Sequence, residues 1–424
     1  MTEPNVRQIL EGIWAIESAK IIATLTRLVR TIDLAEDFAQ DALTAALKSW
    51  PETGVPSNPA AWLTKTAKNR AIDYLRREKQ RKNKYEQLGW ELNQQSLLIW
   101  DEIDEPIQDD LLRLLFMTCH PVLTKEARVA LTLRLLAGLS TEEIARAFLT
   151  SQSTVAQRIV RAKRKLATDQ VPFELPDKET LIDRLASVLE VIYLMFNEGY
   201  SASAGITLTR PVLCHEALRL GRILAELIPD RSEIHGLVGL MEIQTSRLKA
   251  RINTAGEAIL LKDQNRARWD YLHIRRGLTA INRAEQLKQP YGSYLIQALI
   301  AACHAKARIV EETDWIKISA LYAALIQVEP SPVIELNRAV ALSMAFGPEA
   351  GLVVVDALNQ EPSLKNYYLL PSVHADLLLK VGRHEEAADK FNQAAMLTDN
   401  EQERALLLKR SHECKINEAN FERS

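Results

Sequence analysis

Apolar side chains recur along this sequence at positions i, i+3, i+4 and i+7, whereas alternation with period two is almost absent. The first spacing places side chains on one face of an α-helix, and the second is typical of a half-buried strand. Glycine is also scarce, with 15 in 424 residues, so long helices meet few interruptions. We therefore predict an all-α protein whose helices are separated by proline- and glycine-rich turns, such as 50–59 and 289–293.

Length and charge divide the chain into blocks. At about 100–200 residues per domain, 424 residues are enough for two to four domains. The net charge of −2 conceals a segregation: residues 65–84 hold nine bases against two acids, and residues 100–111 hold six acids and no base. We predict four parts: a first block at 1–90, an acidic linker at 91–107, a second block at 108–168 and a long helical extension at 175–424.

The four cysteines lie far apart and form no CxxC pair. This spacing favours reduced thiols over a disulfide framework or a zinc site. The N-terminus lacks a basic start followed by an apolar run, and no apolar run approaches the roughly 20 residues of a membrane span. We expect a cytoplasmic protein without signal peptide, membrane partner, metal or cofactor.

The stretch LSTEEIARAFLTSQSTVAQRIVRAKRKL (139–166) predicts two short helices joined by a turn. Ser140 and Glu143 form a capping box, in which each side chain binds the other's free backbone N–H, and Ser151 is placed to cap the second helix. Apolar residues of that helix are spaced i, i+4, i+7 and i+11, which predicts a buried stripe of Val155, Ile159, Ala162 and Leu166. The pattern is typical of a DNA-reading helix–turn–helix.

The polar face of the second helix supplies the candidate DNA contacts. The residues expected to face base edges in the major groove are Ser153, Thr154, Gln157 and Arg158. The residues expected to meet phosphates are Arg161, Lys163, Arg164 and Lys165. The alternative interpretation is a solvated basic helix in an ordinary bundle.

Two further helices are predicted in the first block. The helix at 33–50 is opened by Asp33 and has one face formed by Leu34, Phe38, Ala42, Ala45 and Ser49, which leaves an acidic surface exposed. The helix at 59–82 places Trp62 among many cations. Rings that stack on bases and cations that follow phosphates are what single-stranded DNA requires. A basic helix with a buried tryptophan is an equally good interpretation.

The end of the chain contains two similar segments. GPEAGLVVVDAL (347–358) and GRHEEAADKFNQAAML (382–397) share small and apolar residues when Ala350, Val354 and Ala357 are aligned with Ala387, Phe391 and Ala394. The offset of 37 residues is close to the period of about 34 in tetratricopeptide repeats. An ordinary helical hairpin with small residues at the crossings is the alternative.

Taken together, these motifs resemble those of bacterial extracytoplasmic-function sigma factors of the sigma-70 family. AEDFAQDALTAAL followed by AAWLTKTAKNRAIDYLRRE resembles their region 2, and the stretch 139–166 resembles their region 4. The long extension, including LEVIYLMFNEGYSAS (189–203), resembles that of one subgroup with a tetratricopeptide-like C-terminus. The resemblance implies a region 2 helical bundle, a flexible linker, a region 4 helix–turn–helix and a large helical C-terminal domain. It also implies an alternative sigma factor that binds core RNA polymerase, recognises −35 and −10 promoter elements and helps to melt DNA.

Carried over residue by residue, the resemblance implies three surfaces. The polymerase-binding residues are Glu36, Asp37, Gln40 and Asp41. The −10 DNA-binding residues are Trp62, Lys65, Lys68, Asn69, Arg70, Asp73, Arg76 and Arg77, with Asn69 at the position of a flipped-out base. The −35 residues Thr154, Gln157, Arg158 and Arg161 match the reading helix. The proline-rich PETGVPSNP departs from the acidic or glycine-rich form that is typical of the −10 loop.

Two other functions stay open at this point. A stand-alone helix–turn–helix regulator with a ligand- or protein-sensing repeat domain needs neither the acidic helix nor the region 2 motif. An enzyme in the extension would draw on the pairs Cys119–His120, Cys214–His215 and Cys303–His304. Adjacent residues on a helix point about 100° apart and do not converge on one substrate, so we predict no catalytic residue. We expect the extension to regulate, by docking intramolecularly or by binding a regulatory protein.

Overall fold

The computed structural model describes residues 3–86, 107–148, 150–177, 180–201, 209–253 and 258–421. Within these ranges the protein is helical, with short 3₁₀ turns and one isolated bridge between Ile252 and Ala258, and without a β-strand. The predicted all-α class is therefore confirmed. The acidic linker predicted at 91–107 lies almost entirely outside the described residues. The chain divides into two compact units, Met1–Val191 and Ile192–Ser424.

The first unit contains seven helices and the first half of an eighth within its described residues. Their bounds are α1 Glu3–Val29, α2 Ile32–Thr53, α3 Pro59–Glu86, α4 Ile107–Thr118, α5 Lys125–Leu135, α6 Thr141–Ala147, α7 Gln152–Thr168 and α8 Leu181–Tyr200. Helices α1, α2 and α3 pack on one another as a bundle, and α4 packs against α1. Helices α5, α6 and α7 contact one another around the turn of the helix–turn–helix.

The buried face of α2 consists mostly of alanines: Ala35, Ala39, Ala42 and Ala46 are fully buried, between Ile32 and Trp50. Ala42 of the predicted face is buried, whereas Leu34, Phe38, Ala45 and Ser49 are only half-buried, because the buried row runs one position further along the helix. Alanines allow α1 and α3 to approach the α2 backbone closely. The helix also starts at Ile32, with Thr31 at the N-cap position, so Asp33 is not its cap.

The second unit holds the end of α8 and ten further helices among the described residues. Their bounds are α9 Pro211–Leu227, α10 Ser232–Ser246, α11 Tyr271–Gln286, α12 Ser293–Lys306, α13 Trp315–Val328, α14 Pro332–Phe346, α15 Pro348–Leu358, α16 Leu369–Lys380, α17 His384–Leu397 and α18 Glu401–Phe421. From α12 onward each helix packs on the next along the chain. Contacts between sequence neighbours are typical of helical repeats.

The repeat-like segments at the C-terminus are helical but in a different register from the predicted one. Ala387, Phe391 and Ala394 are completely buried, as their spacing predicts. In α15 the buried residues are instead Gly351, Val355 and Leu358, each one position beyond the predicted set. A Cβ on Gly351 would lie 2.8 Å from the Ala339 carbonyl oxygen, so glycine is required where α14 and α15 cross.

Candidate nucleic-acid and polymerase-binding surfaces

The helix–turn–helix is built by the caps that the sequence predicts. The Ser140 hydroxyl accepts a hydrogen bond from the Glu143 backbone N–H (3.1 Å), and the Glu143 carboxylate accepts one from the Ser140 N–H (2.8 Å). The Ser151 hydroxyl accepts from the Thr154 N–H at 3.1 Å. The predicted stripe from Val155 to Leu166 is buried in full. The caps fix the residues at which α6 and α7 begin, and the apolar stripe fixes the side of α7 that faces inward. The residues on the outward side of α7 follow from these two features.

The outward face of α7 carries most of the predicted DNA contacts. The exposed side chains are Ser153, Thr154, Gln157, Arg161, Arg164 and Lys165, whereas Arg158 is half-buried. The Thr154 hydroxyl lies 2.7 Å from the Ser151 hydroxyl, so it is oriented by the cap. Val160, which is 55% exposed, lies between Gln157 and Arg164 on this face. Sequence reasoning missed Val160; its signal is an apolar residue outside the buried stripe.

The acidic face of α2 exposes Asp37, Gln40 and Asp41, in agreement with its predicted orientation. The Asp41 carboxylate lies 3.0 Å from the Arg70 guanidinium on α3, and the two side chains are 56% and 40% exposed. Since Arg70 belongs to the predicted −10 surface, this ion pair joins the edges of the predicted polymerase and −10 surfaces. An exposed pair of this kind contributes little to stability, about 0–1 kcal/mol.

Helix α3 presents a basic surface with a partly covered aromatic ring. Its exposed members are Lys65, Asn69, Asp73, Arg76 and Arg77, and its half-buried ones are Trp62, Lys68 and Arg70. The Trp62 ring meets the buried Trp50 ring edge to face, with centroids 5.4 Å apart. Trp62 therefore fits both interpretations of the sequence. One edge of its ring packs on the bundle, as in a buried tryptophan, and the remainder is accessible for stacking on a base.

Comparison with known proteins identifies the regions to which these helices belong. A family model for sigma-70 region 2 matches residues 17–81, and a model for sigma-70 region 4 matches residues 113–166. A family of unknown function (DUF6596) matches residues 184–285. The chain is an extracytoplasmic-function sigma factor of the sigma-70 family, with a C-terminal extension. The match to region 2 decides against a stand-alone helix–turn–helix regulator, which has no need of that region.

Two relatives differ in how much of the sigma factor they cover. A protein of Rhizobium meliloti (strain 1021), described as uncharacterized, is 42% identical over 388 residues, which is 91% of each chain. The probable ECF RNA polymerase sigma factor SigI of Mycobacterium tuberculosis is 24% identical over 159 residues, or 37% of this chain and 54% of SigI. Sigma factors are non-enzymatic transcription initiation factors that bind core RNA polymerase and promoter DNA.

Lys163 of the sigma factor does not lie on the exposed face of α7, where a phosphate contact was predicted. Its ammonium group binds the Asp33 carboxylate at 2.8 Å and also the Glu36 carboxylate, and only 14% of its side chain is exposed. Burial lowers the pKa of Lys163, but the hydrogen bonds and charges of the two carboxylates outweigh it and raise the pKa above its ordinary value. Arg134 on α5 also approaches Glu36, at 3.3 Å.

Glu36 is therefore covered in this structure rather than free to meet polymerase, as only 12% of its side chain is exposed. Its two cationic partners come from the region 4 part of the chain, Arg134 from α5 and Lys163 from α7. Sequence patterns cannot show this contact, because it joins side chains that are separated by about a hundred residues or more and have no common periodicity.

A second buried ion group joins region 2 to region 4. Asp110 on α4 is 1% exposed and lies 3.1 Å from both Arg27 on α1 and Arg113 on α4. Burial raises the pKa of Asp110 more than the two guanidinium groups lower it. Near this group, a cavity of about 520 Å³ lies between the α1–α2 turn and the end of α7. Its lining includes Arg30 and Gln170, whose φ angles of 58° and 51° are unusual for residues with side chains.

The first half of α8 belongs to the same unit as region 4. The Arg184 guanidinium donates to the Phe116 carbonyl oxygen at 2.9 Å, and the Ser187 hydroxyl donates to the Cys119 carbonyl oxygen at 2.6 Å. Lys125 of α5 pairs with Glu190 of α8 at 2.5 Å. The helix that opens the extension thus makes hydrogen bonds and ion pairs to α4, to α5 and to the turn between them, and the predicted block boundary near 168 stays a proposal.

The three Cys–His pairs do not form paired groups in the structure. Cys119 contacts Thr132 at 3.5 Å, whereas the neighbouring His120 ring accepts from the Val122 N–H. His304 packs edge to face on Trp315. Among the described residues no group of three His, Cys, Asp or Glu side chains is arranged to hold a metal ion. In the same part of the chain, no helix is long and apolar enough to cross a membrane.

Proposed function

We propose that the first unit reads two promoter elements with two separate helices. Helix α7 enters the major groove of the −35 element, and α3 binds and helps to melt the −10 element. The single observation that carries this proposal is the face of α7, which exposes Gln157, Arg161 and Arg164 opposite a completely buried stripe. A capped helix with a buried inner face presents its outer side chains at defined positions, as base reading requires.

On α7 the proposed roles follow side-chain chemistry. Gln157 makes hydrogen bonds to a base edge, since a carboxamide matches the donor and acceptor of adenine. Arg161 and Arg164 contact phosphates and determine how the helix is positioned on the duplex. Val160 adds an apolar contact that suits a thymine methyl group.

On α3 the proposed role is to hold one melted strand. Asn69 is exposed and has Lys65 and Arg76 on the same helix, so a base extruded beside it has cations nearby for its phosphates. Extrusion of a base costs a few kcal/mol of stacking, which contacts to the base and the strand offset. Core polymerase is gripped by Asp37, Gln40 and Asp41 on α2, and by Glu36 once its internal partners are displaced.

Run-off transcription with purified core polymerase tests this function. The full chain should start transcription from its promoter, whereas Asn69→Ala should fail on duplex DNA and recover on a template with a pre-melted −10 bubble. Recovery separates melting from polymerase binding, because the bubble removes only the cost of opening the strands. Failure of the unaltered chain to direct initiation on either template would refute the assignment.

We further propose that the C-terminal extension regulates the sigma factor. Its successive helix pairs form the kind of extended array that binds peptides or protein surfaces in other helical-repeat proteins. Truncation after residue 201 tests this, because it keeps α8 and the contacts of Ser187 and Glu190 with region 4. If the 1–201 fragment and the full chain give equal transcription from the same promoter, the extension is not regulatory.

A further inference from the structure

The second unit contains three arginines gathered around two aromatic rings. The Arg251 guanidinium carbon lies 3.8 Å from the centre of the Tyr200 ring. The guanidinium carbons of Arg247 and Arg266 lie 5.4 Å and 5.1 Å from the centre of the Trp269 ring. Arg247 and Arg251 flank the 3₁₀ turn Leu248–Ala250 that follows α10, and Arg266 begins the later 3₁₀ turn Arg266–Arg268. We call this group the arginine cluster.

Arg247 is the buried member of the arginine cluster, with 8% of its surface exposed. One of its terminal nitrogens donates to the Gln244 side-chain oxygen at 3.2 Å, whereas its Nε has no hydrogen-bond partner. Unlike Lys163 or Arg27 in the first unit, it has no carboxylate within ion-pair distance in the described part of the chain. A buried guanidinium without a counter-charge is costly, because it has left water without a compensating anion.

The other two members are held by carbonyl and hydroxyl oxygens, including the Thr313 hydroxyl at 3.3 Å from Arg266, rather than by acids. Arg266 donates to the carbonyl oxygens of His304 and Ala307 at 2.8 and 2.6 Å, and its buried Nε is also without a partner. Arg251 donates to the Tyr200 carbonyl oxygen. Both are partly exposed. These contacts fix the positions of the guanidinium groups, and no carboxylate among the described residues lies within ion-pair distance of either one.

The charges of the arginine cluster act on each other and on their surroundings. Burial lowers the pKa of Arg247, and the charge of Arg251 lowers it further. Burial also lowers the pKa of His304 to about 4, with Arg247 and Arg266 contributing, so its ring stays neutral at pH 7. Glu311 and Glu312 interact electrostatically with Arg266, and Glu403 with Arg251, at distances longer than that of an ion pair.

We propose that the arginine cluster is a binding site for a small phosphate-bearing ligand. Guanidinium groups bind phosphate oxygens with paired, charge-assisted hydrogen bonds. A phosphate group carries close to two negative charges near neutral pH, which suits three neighbouring cations better than a single carboxylate does. The ligand enters from the exposed side of Arg251 and Arg266 and places its oxygens towards the buried Arg247. The Tyr200 and Trp269 rings form the apolar side of the site.

Titration calorimetry on the full chain, without DNA or polymerase, tests the site with inorganic phosphate. Ionic strength is kept constant with chloride, and succinate serves as the carboxylate comparison. We expect saturable binding of one phosphate, and binding at least about tenfold weaker in Arg251→Gln, because one charge-assisted contact is lost. The matched control is Arg276→Gln, an exposed arginine on α11, which should bind phosphate as the unaltered chain does.

The outcomes are distinct from those of the promoter experiments, because only phosphate binding is measured. Absence of saturable binding, or equal weakening in Arg276→Gln, overturns the site. Succinate binding as tight as phosphate binding overturns the ligand class. If Arg251→Gln does not fold by circular dichroism, Arg251→Lys replaces it; this variant keeps the charge but loses the paired donors, so affinity should still fall several-fold. Phosphate binding by Arg251→Lys equal to that of the unaltered chain contradicts the proposal.

Discussion

Lys163 on α7 and Glu36 on α2 form an ion pair in which only 14% and 12% of the two side chains are exposed. One of these residues was predicted to contact promoter DNA and the other to contact polymerase. Here they neutralise each other, so neither can reach its proposed partner until the pair opens. The structure therefore describes a form of the first unit in which part of each proposed binding surface is occupied internally.

We predict that Lys163→Met destabilises the first unit by about 1–3 kcal/mol, because it leaves the Glu36 carboxylate with Arg134 alone in a poorly solvated position. Urea denaturation measures this change. Lys48→Met, an exposed lysine on α2, is the control and should change stability by less than about 0.5 kcal/mol. Equal effects of the two substitutions would show that the ion pair has no structural importance.

Charge reversal on α2 should weaken polymerase binding. Asp41→Lys is expected to reduce co-purification with core polymerase about tenfold or more, since it places a cation at a contact that requires an anion and also repels Arg70. Glu52→Lys makes the same reversal at an exposed position near the end of α2. It should leave co-purification unchanged. Undiminished binding by Asp41→Lys, in a protein with a normal circular dichroism spectrum, would contradict the proposed surface.

The two kinds of contact on α7 should differ in how they depend on promoter sequence and salt. Gln157→Ala is expected to cost about 1–3 kcal/mol on the preferred −35 base and to relax specificity at that position. Arg161→Ala should weaken binding to all sequences alike and reduce the salt dependence by about one phosphate contact. Holoenzyme binding to a set of single-base promoter variants at several salt concentrations measures both. Similar profiles for the two variants would count against the assigned roles.

Acid should destabilise the second unit through His304. Burial and the nearby Arg247 and Arg266 lower its folded-state pKa to about 4, whereas the unfolded value is about 6.5. The unfolded chain therefore binds the extra proton, and the stability that this histidine contributes is complete above pH 6.5 and falls as the pH drops towards 4. The loss at pH 4 is at most about 3 kcal/mol.

His304→Gln should flatten this part of the pH dependence of unfolding, relative to the unaltered chain. His412→Gln, at an exposed position on α18, should leave the slope as it is. Chemical denaturation at a series of pH values between 4 and 7 provides the measurement. A slope that does not respond to His304→Gln would mean that the imidazole is not held neutral by its surroundings.

Local features were predictable from the sequence, and contacts between distant segments were not. The caps at Ser140 and Ser151 depend on residues three positions apart, and the sequence shows both partners. The α2 face was predicted one position out at Leu34 and Phe38, because close helix packing selects small residues such as Ala39 for the buried row. The Lys163 contacts join residues far apart along the chain, and in the arginine cluster Tyr200 and Arg251 are 51 positions apart, so no periodic spacing indicates either group.

The burial of the cysteines has a consequence for how this sigma factor is able to sense oxidants. Burial raises the pKa of the Cys119 thiol to about 11 and that of Cys214 to about 12, and raises those of Cys303 and Cys414 as well. Peroxide and disulfide reagents attack the thiolate rather than the thiol. At neutral pH these side chains are almost entirely protonated, which makes them slow to oxidise and unsuitable as redox switches. A thiol-based response of this factor to oxidants would therefore require a change that lowers the pKa of one of these side chains.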